Sequence, residues 1–302
     1  MAKHLIIFGA GASFGSDTTG TPPLGGDLFE ALVSFNPSGW GKVCSEQVKL
    51  FREDFEEGMK DLSLKNPHAM PPLQRAMAAY FFNFILTRSN LYIKFVEKIK
   101  NQNWEGAMAT LNYERLLELS LSFSGLRPVV GRKAEANSEI EVCLPHGCCH
   151  LFCQSVRGAA QGISFSGTAV STNGPIKVIA DFRQFQERIN NDAFPPVMSY
   201  FEPSKITTSG ASFIKNQRKR FVELVSESST IGIVGLRVRP RDEHIWQPLA
   251  RTSAKIVYCS GRSSGEEFKT WAGEARPHNT DVVLPYYFSD GFEKLCSSIG
   301  LI

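Results

Sequence analysis

Four short stretches concentrate the residue types that can bind a phosphate or move a proton. The first, Ile6 to Gly15, reads IIFGAGASFG, an apolar run ended by Gly9-Ala10-Gly11-Ala12-Ser13. Glycines at the first and third of these positions allow a tight turn and let backbone amides approach a pyrophosphate, whose charge a helix start stabilises. The second, Thr110-Leu111-Asn112-Tyr113-Glu114, carries an amide and a carboxylate, and the third, Leu144-Pro145-His146-Gly147, carries a ring that titrates near neutrality. The fourth runs from Gly235-Leu236-Arg237 to Asp242-Glu243-His244-Ile245.

The glycine turn alone leaves three readings open: a redox cofactor site, a site where a nucleotide is broken, or a structural turn. The dinucleotide fingerprint wants a third glycine where Phe14 stands, and an acid about 20 residues on at the end of a second strand. Asp27 and Glu30 fall in a helical pattern instead, so an ordinary dehydrogenase is disfavoured. Gly-x-x-x-x-Gly-Lys-Ser/Thr is absent, which disfavours a P-loop nucleotide hydrolase.

The elements that must position these residues alternate. His4 to Phe8 reads as a strand buried on both faces, and Leu24, Leu28, Leu32 and Phe35 recur at helical spacing. From near residue 36 to near residue 103 there is no strand signal, and SEQVKLFREDFEEGMKDLSL and PPLQRAMAAYFFNFILTRSNLYIKFVEKIKNQ predict two helices of an insertion. Strand AMATL then runs into helix NYERLLELSLSF, and SEIEVCL predicts a further strand ended by Pro145-His146-Gly147. A region rich in Gly, Ser and Thr, Arg157 to Gly174, has weak periodicity and marks a small irregular module over about residues 151–208. The tail predicts helix ASFIKNQRKRFVELVSES, strand TIGIVGL, strand AKIVYCS, helix GEEFKTWAG, strand DVVLPYY and helix GFEKLCSSIGL. The expectation is a single α/β domain over residues 1–302, with a Rossmann-like parallel sheet, a helical insertion and that irregular module. Three of the four stretches fall at strand ends, and the first at the opening turn off the first strand, which is the ligand side of an open α/β sheet.

Bulk composition fits this. The 302 residues are 42% hydrophobic and 21% charged with a formal net charge of +3, so neither nucleic acid nor an acidic membrane is demanded as a partner. Seven cysteines are an odd number, and the first residues lack an apolar leader, so a cytoplasmic chain with reduced thiols is expected. The most apolar stretch, Ala76 to Leu86, is far shorter than the roughly 20 residues that span a bilayer. It reads as a buried helix, and its aromatic content also suits a subunit interface.

Taken in order, the four stretches resemble the sirtuin superfamily, and more narrowly its bacterial sirtuin-like branch found in defence NAD hydrolases. The resemblance implies that Gly9, Ala10, Gly11, Ala12 and Ser13 surround the NAD pyrophosphate and the nicotinamide-side ribose. Thr110 and Glu114 flank Asn112, which matches the family's essential asparagine, orienting the ribose or a water beneath the nicotinamide bond. His146 matches the catalytic histidine, and Gly235 with Leu236 matches the late loop near the adenosine ribose and phosphates. The implied chemistry is NAD glycohydrolysis to nicotinamide and ADP-ribose, with NAD as substrate. An asparagine offers a donor and an acceptor without a competing charge, and a histidine can take the proton of water or a ribose hydroxyl. Alternatives are an NAD-dependent protein deacylase or ADP-ribosyl transferase, and a module that senses NAD or ADP-ribose without turnover.

Two departures bear on that expectation. Many sirtuins carry aspartate where this chain has Glu114, and the deacylases carry two Cys-x-x-Cys pairs after the His-Gly. Here the cluster is HGCCHLFC, with Cys148, Cys149, His150 and Cys153 and no second paired cluster. Cys148 and Cys149 would point in opposite directions on a strand, so no metal is expected and the thiols read as buried or incidental. Losing that module removes much of the wall that clamps an acyl-lysine peptide, and water becomes the natural acceptor. In the bacterial branch such domains are antiviral effectors, so a homo-oligomer, or a partner such as a HerA-type motor ATPase or another sensor subunit, is expected; the chain leaves little room for a sensor of its own. KNQRKR, Lys215 to Arg220, reads as the solvated face of a helix rather than a nucleic-acid patch. Arg237, Arg239 and Arg241 read as surface residues, with a phosphate contact as the alternative. His4, His68, His244 and His278 read as structural or exposed.

Overall fold

A computed structural model of the chain describes residues 4–102, 104–154, 174–199, 209–278 and 280–301. Most of the region Arg157 to Gly174, and part of the irregular module around it, lie outside the described residues. Among those described, no helix is long and apolar enough to cross a membrane.

Strand β1 (His4–Phe8) leads into a single helical turn, α1 (Ala10–Ser13), and then α2 (Gly25–Phe35). Four further α-helices make up the insertion: α3 (Ser45–Glu53), α4 (Phe55–Lys65), α5 (Met70–Phe82) and α6 (Leu91–Lys100). Periodicity predicted two helices here, and the side-chain caps explain the difference. Asp54 accepts from the amides of Glu56 and Glu57 and so starts α4, and Asn90 accepts from Tyr92 N and so starts α6. The Ala76 to Leu86 stretch is buried at Met77, Ala78, Phe81 and Phe82, but its end leaves the helix and exposes Ile85.

The core resumes with β2 (Gly106–Thr110), α7 (Leu116–Phe123), β3 (Arg127–Val130), β4 (Glu139–Cys143), β5 (Leu151–Cys153), β6 (Ile176–Val178), α8 (Phe182–Asn191), α9 (Ala211–Glu227), β7 (Thr230–Val234), α10 (Glu243–Arg251), β8 (Lys255–Cys259), α11 (Arg262–Ala275), β9 (Val282–Leu284) and α12 (Phe288–Ser298). The seven-stranded sheet runs β3-β4-β2-β1-β7-β8-β9, and each neighbouring pair is parallel. Leaving out the edge strand β3, this is the 3-2-1-4-5-6 order of the Rossmann-like α/β fold. Strand β3, the antiparallel β5–β6 pair, α8 and α10 carry no clear signal in the sequence; the first three are short or strongly polar, and α10 contains Pro248.

Alternation along β1 sorts the core into two layers. Ile6 and Phe8 face α2, α6, α7 and α12, and Leu5 and Ile7 face α9, α10 and α11. With both faces covered, every apolar side chain of the central strands is removed from water, which is why they read as unbroken apolar runs. The carboxyl ends of β4, β2, β1 and β7 therefore share one edge, and the residues just past them are those singled out in the sequence.

Candidate active site

The opening turn is bound to the turn after β7. Gly9 N donates to Val234 O at 2.9 Å, and Gly11 N donates to Gly235 O at 2.8 Å. A Cβ on Gly9 would lie 2.6 Å from Gly235 O, and one on Gly235, whose φ is +62°, would lie 1.9 Å from Ala12 N. Side chains at these places would push the two backbones apart, so Gly9 and Gly235 are required by the approach of strand end to strand end. Sequence reasoning assigned those glycines to a ligand; the first demand on them comes from the protein itself. Ala10 is exposed on the outer side of the turn, whereas Ser13 is buried and points inward. Leu236 is held by its amide on Ser260 Oγ at 3.0 Å and by its carbonyl, which accepts from Tyr258 Oη.

Ser13 belongs to a buried network centred on Asn112. Thr110 Oγ1 accepts from Asn112 N at 3.1 Å and sets the turn off β2. Asn112 Nδ2 then lies 3.1 Å from Gly9 O, 2.9 Å from Ser13 Oγ and 3.1 Å from Glu114 Oε1. Ser13 donates its only hydroxyl hydrogen to Glu114 Oε1 at 2.5 Å, so Tyr92 Oη, 2.9 Å away, is the donor to Ser13 Oγ. Glu114 Oε2 accepts from Leu116 N at 2.5 Å. Burial still holds the Glu114 carboxyl above its ordinary value, with the Ser13, Leu116 and Asn112 donors offsetting part of that rise. With Nδ2 turned into this network, Oδ1 is the acceptor on the other side of the amide. Tyr92 arrives from insertion helix α6, and nothing in the sequence marked it.

His146 stands after β4, where Gly147 has φ +76° and a Cβ would lie 2.0 Å from Val197 O. The His-Gly pair is thus set by the close passage of the 197–199 segment, whose Ser199 N donates to His146 O at 2.8 Å. His146 Nε2 lies 2.9 Å from His244 Nε2, and His244 Nδ1 lies 3.3 Å from Asp242 Oδ1. Strands β4 and β7 are separated in the sheet by β2 and β1, roughly 14 Å at the usual strand spacing, so the segments after them reach across to make this contact. Sequence reasoning set His244 aside as structural or exposed; its ring is mostly buried and paired with His146. The signal was present in Asp242-Glu243-His244, which places a carboxylate two residues before a ring.

Several other expectations change. Arg218, within KNQRKR, donates to Ser199 Oγ at 2.9 Å, Arg220 clamps Glu141 at 2.7 and 3.1 Å, and Gln217 Oε1 accepts from Leu144 N at 2.8 Å, so part of that run faces inward and braces the His146 loop. Arg237 and Arg241 do lie at the surface, as read from the sequence; Arg237 pairs with Glu267, Arg239 with Glu56, and Arg241 with Asp54 and Glu57, which ties the loop after β7 to α4 and α11.

Cys148 and Cys149 are not on a strand, and their sulfurs lie with a His150 nitrogen in one cluster, all within 4.8 Å of one another. This corrects the expectation that they point in opposite directions, yet the surroundings are those of a neutral thiol. Cys148 Sγ lies 3.2 Å from Tyr113 O, 3.3 Å from Glu114 O and 3.0 Å from His150 Nδ1, and carbonyl oxygens at that distance repel a thiolate. Burial pushes the Cys148 thiol well up. A metal-bound thiolate does not fit there. Burial also lowers His150 to about 3 and raises Glu118 to about 8, so the 3.9 Å contact between them joins two neutral groups at pH 7.

No family model matches the chain, and no curated protein matches it. Among solved structures it is similar to a Sir2 homolog–NAD complex, at 13% identity over 99% of this chain and 90% of that chain, with a TM-score of 0.49. It is similar to Sir2 in complex with the inhibitor EX-527, 2'-O-acetyl-ADP-ribose and a deacetylated p53 peptide, at 14% identity over 99% of this chain and 95% of that chain, with a TM-score of 0.46. It is also similar to Sir2 bound to an acetylated peptide, at 12% identity over 99% of this chain and 94% of that chain, with a TM-score of 0.45.

Proposed function

We propose that this chain hydrolyses NAD at the nicotinamide–ribose bond, giving nicotinamide and ADP-ribose. The observation that carries the reading is Asn112: a side-chain amide at the ligand edge of the sheet, locked by Gly9 O, Ser13 Oγ and Glu114 Oε1 so that its oxygen has one fixed direction. A glycosidic bond to a cationic ring breaks with a neutral leaving group, and positive charge grows on the ribose. A pre-oriented amide oxygen stabilises that charge and holds a water or hydroxyl beside it without forming a competing salt.

His146 is the base in this reading. As the C1'–N bond breaks and the C1'–O bond forms, the attacking water gives its proton to the imidazole, which returns it to solvent. Gly9 to Ser13 and Gly235-Leu236, whose backbones are bound to each other, offer a rigid floor for the diphosphate. Water is the acceptor in the proposal because the residues after His146-Gly147 form a packed thiol cluster rather than the paired-cysteine wall of a deacylase. A role as an antiviral effector switched on by self-association or by a partner subunit is the biological setting proposed for this activity.

The test is direct. Purified protein is incubated with NAD, and free nicotinamide and ADP-ribose are measured with and without an acyl-lysine peptide. Equal release of both products without peptide is expected. Release only with peptide makes it a deacylase, and NAD binding without release under any condition leaves a sensing module.

A further inference from the structure

We infer that Asp17 and Asn90 are positioning residues: together they clasp the chain after α1 to the start of insertion helix α6, and through Tyr92 and Ser13 they fix the direction of the Asn112 amide. The clasp itself stands on geometry; its bearing on turnover rests on the hydrolase reading above.

Ser13 needs outside support. It closes α1, a helix of four residues whose cap, Gly9, offers no side-chain bond. One turn makes too few hydrogen bonds to hold a conformation alone, so the direction of the Ser13 hydroxyl is set by what α1 is attached to. Tyr92 is the fixed partner. Its ring packs against Phe8 with centroids 5.0 Å apart and against Phe288 at 6.0 Å, which anchors α6 to the sheet and to α12. The turn carrying Ser13 must then be held level with α6, where Tyr92 Oη meets Ser13 Oγ at 2.9 Å and Ser13 Oγ in turn lies 2.9 Å from Asn112 Nδ2.

Residues 16 and 17 hold it there. Ser16 O accepts from Leu91 N at 2.8 Å. Asn90 Nδ2 donates to Ser16 Oγ and to Asp17 Oδ2, both at 3.2 Å, while Asn90 Oδ1 accepts from Tyr92 N at 2.9 Å and caps α6. One side chain thus starts the helix that carries Tyr92 and grips the segment that follows Ser13. Asp17 closes the clasp from the other side: its oxygens accept from Thr87 N at 3.1 Å, from Thr87 Oγ1 at 2.7 and 2.8 Å and from Thr18 N at 2.8 Å, with Ser89 Oγ at 3.0 Å. Ser16 and Asn90 are each 1% exposed, so water does not replace a partner lost there. The contacts pair in reverse order along the two segments, Ser13 with Tyr92, Ser16 with Leu91 and Asn90, Asp17 with Asn90 and Thr87, and a slip at the clasp is therefore carried back to Ser13.

Asn90→Asp separates the clasp from the helix. It keeps the oxygen that caps α6, removes both Nδ2 donors and sets a second carboxylate against Asp17. In 15N-labelled protein without NAD, the side-chain amide hydrogens of Asn112 should exchange with water about tenfold faster in this variant, and kcat for nicotinamide release should fall by about tenfold with the KM for NAD little changed. Adding Asp17→Asn swaps amide and carboxylate between the two positions, so that a donor again faces an acceptor, and should recover part of both losses; two merely destabilising changes would instead add. Thr87→Val removes only one hydroxyl donor, should quicken the same exchange by about twofold, and decides the matter if Asn90→Asp does not fold. Unchanged Asn112 exchange in the variant that folds, or a double variant no better than Asn90→Asp, overturns the inference. Faster exchange with kcat unaltered overturns its bearing on turnover. If the unaltered protein releases no nicotinamide, the hydrolase reading fails while the exchange rates still decide the clasp.

Discussion

Glu114 and Glu118 stand one helical turn apart at the mouth of α7 and are almost equally sealed from water, at 3% and 7% exposure. The difference between them lies in donors. Glu114 receives Ser13, Asn112 and the amide of Leu116, and neither oxygen of Glu118 has a hydrogen-bond partner among the described residues. Burying a carboxylate is costly in both places. At Glu114 that cost is offset by hydrogen bonds which in turn fix an asparagine, so a structural liability becomes a way of aiming an amide. At Glu118 burial outweighs the opposing pull of the nearby Arg115 charge, and the group escapes by staying protonated near neutrality.

The largest expected effect breaks the comparison at its functional end. Asn112→Ala removes the aimed amide but leaves Glu114 with Ser13 and Leu116 as donors, so the fold should survive. Nicotinamide release should fall by about 10²- to 10³-fold, the usual cost of one charge-stabilising group. A thermal melt run beside the assay separates lost chemistry from lost folding, and a variant of native stability with undiminished release removes Asn112 from the mechanism.

Much of the fold was legible in the sequence, whereas the contrast between Glu114 and Glu118 was not. The central strands, the helices α2, α7, α9, α11 and α12, and the four strand-end motifs follow from apolar runs and turn residues, which are local signals. Asn112, His146 and the glycine turn stand out by residue type near strand ends, but their assignment to one site comes from the resemblance of the four stretches taken in order. Tyr92 was invisible because its partner Ser13 is 79 positions away and a buried tyrosine on an amphipathic helix reads as core. The pairing of His244 with His146 was not legible because the two rings are 98 positions apart, across two strands. Even Gly9 was found for an incomplete reason: the neighbour that excludes a side chain there is Gly235, a contact between sequence-distant turns.

Glu118→Gln sharpens the unpaired side. In the unfolded chain this carboxyl ionises near 4.5, and in the fold only near 8, so over that window the unfolded state gives up a proton that the folded state keeps. Stability is therefore full below the unfolded value and is lost as pH rises toward 8, by about 3 kcal/mol between pH 5 and pH 8. The glutamine variant should lose this alkaline decline. His150, held down to about 3 against an ordinary 6.5, acts oppositely: stability falls as pH drops below about 6.5, and that acid limb should persist in the variant. Denaturant melts across this range check both limbs, and an unchanged alkaline slope would remove Glu118 as its source.

Glu114→Gln asks whether the paired carboxylate needs both oxygens. The amide group must face either Ser13 and Asn112 or Leu116 N, and in each orientation a donor meets a donor. The expected loss is about 1–3 kcal/mol of stability, from leaving buried donors unpaired. Release should fall with it, because Asn112 loses one of the three acceptors that set its direction, and the effect should appear in kcat. Equal stability and rate would mean that Gly9 O and Ser13 hold Asn112 alone.

Tyr92→Phe is the mildest of these changes and the most selective. It removes the outermost donor of the network, the hydroxyl that reaches Ser13 Oγ, while Ser13 keeps its bond to Glu114 and its contact with Asn112. No buried donor is stranded, so the cost should be about 1 kcal/mol, the net worth of one hydrogen bond. Since Tyr92 lies on α6, the same change tests whether the helical insertion acts on the site through this contact: a shift in release larger than the shift in stability would show that it does. The alkaline decline assigned to Glu118 should be unaltered, because that carboxyl shares no hydrogen bond with the network only four residues away.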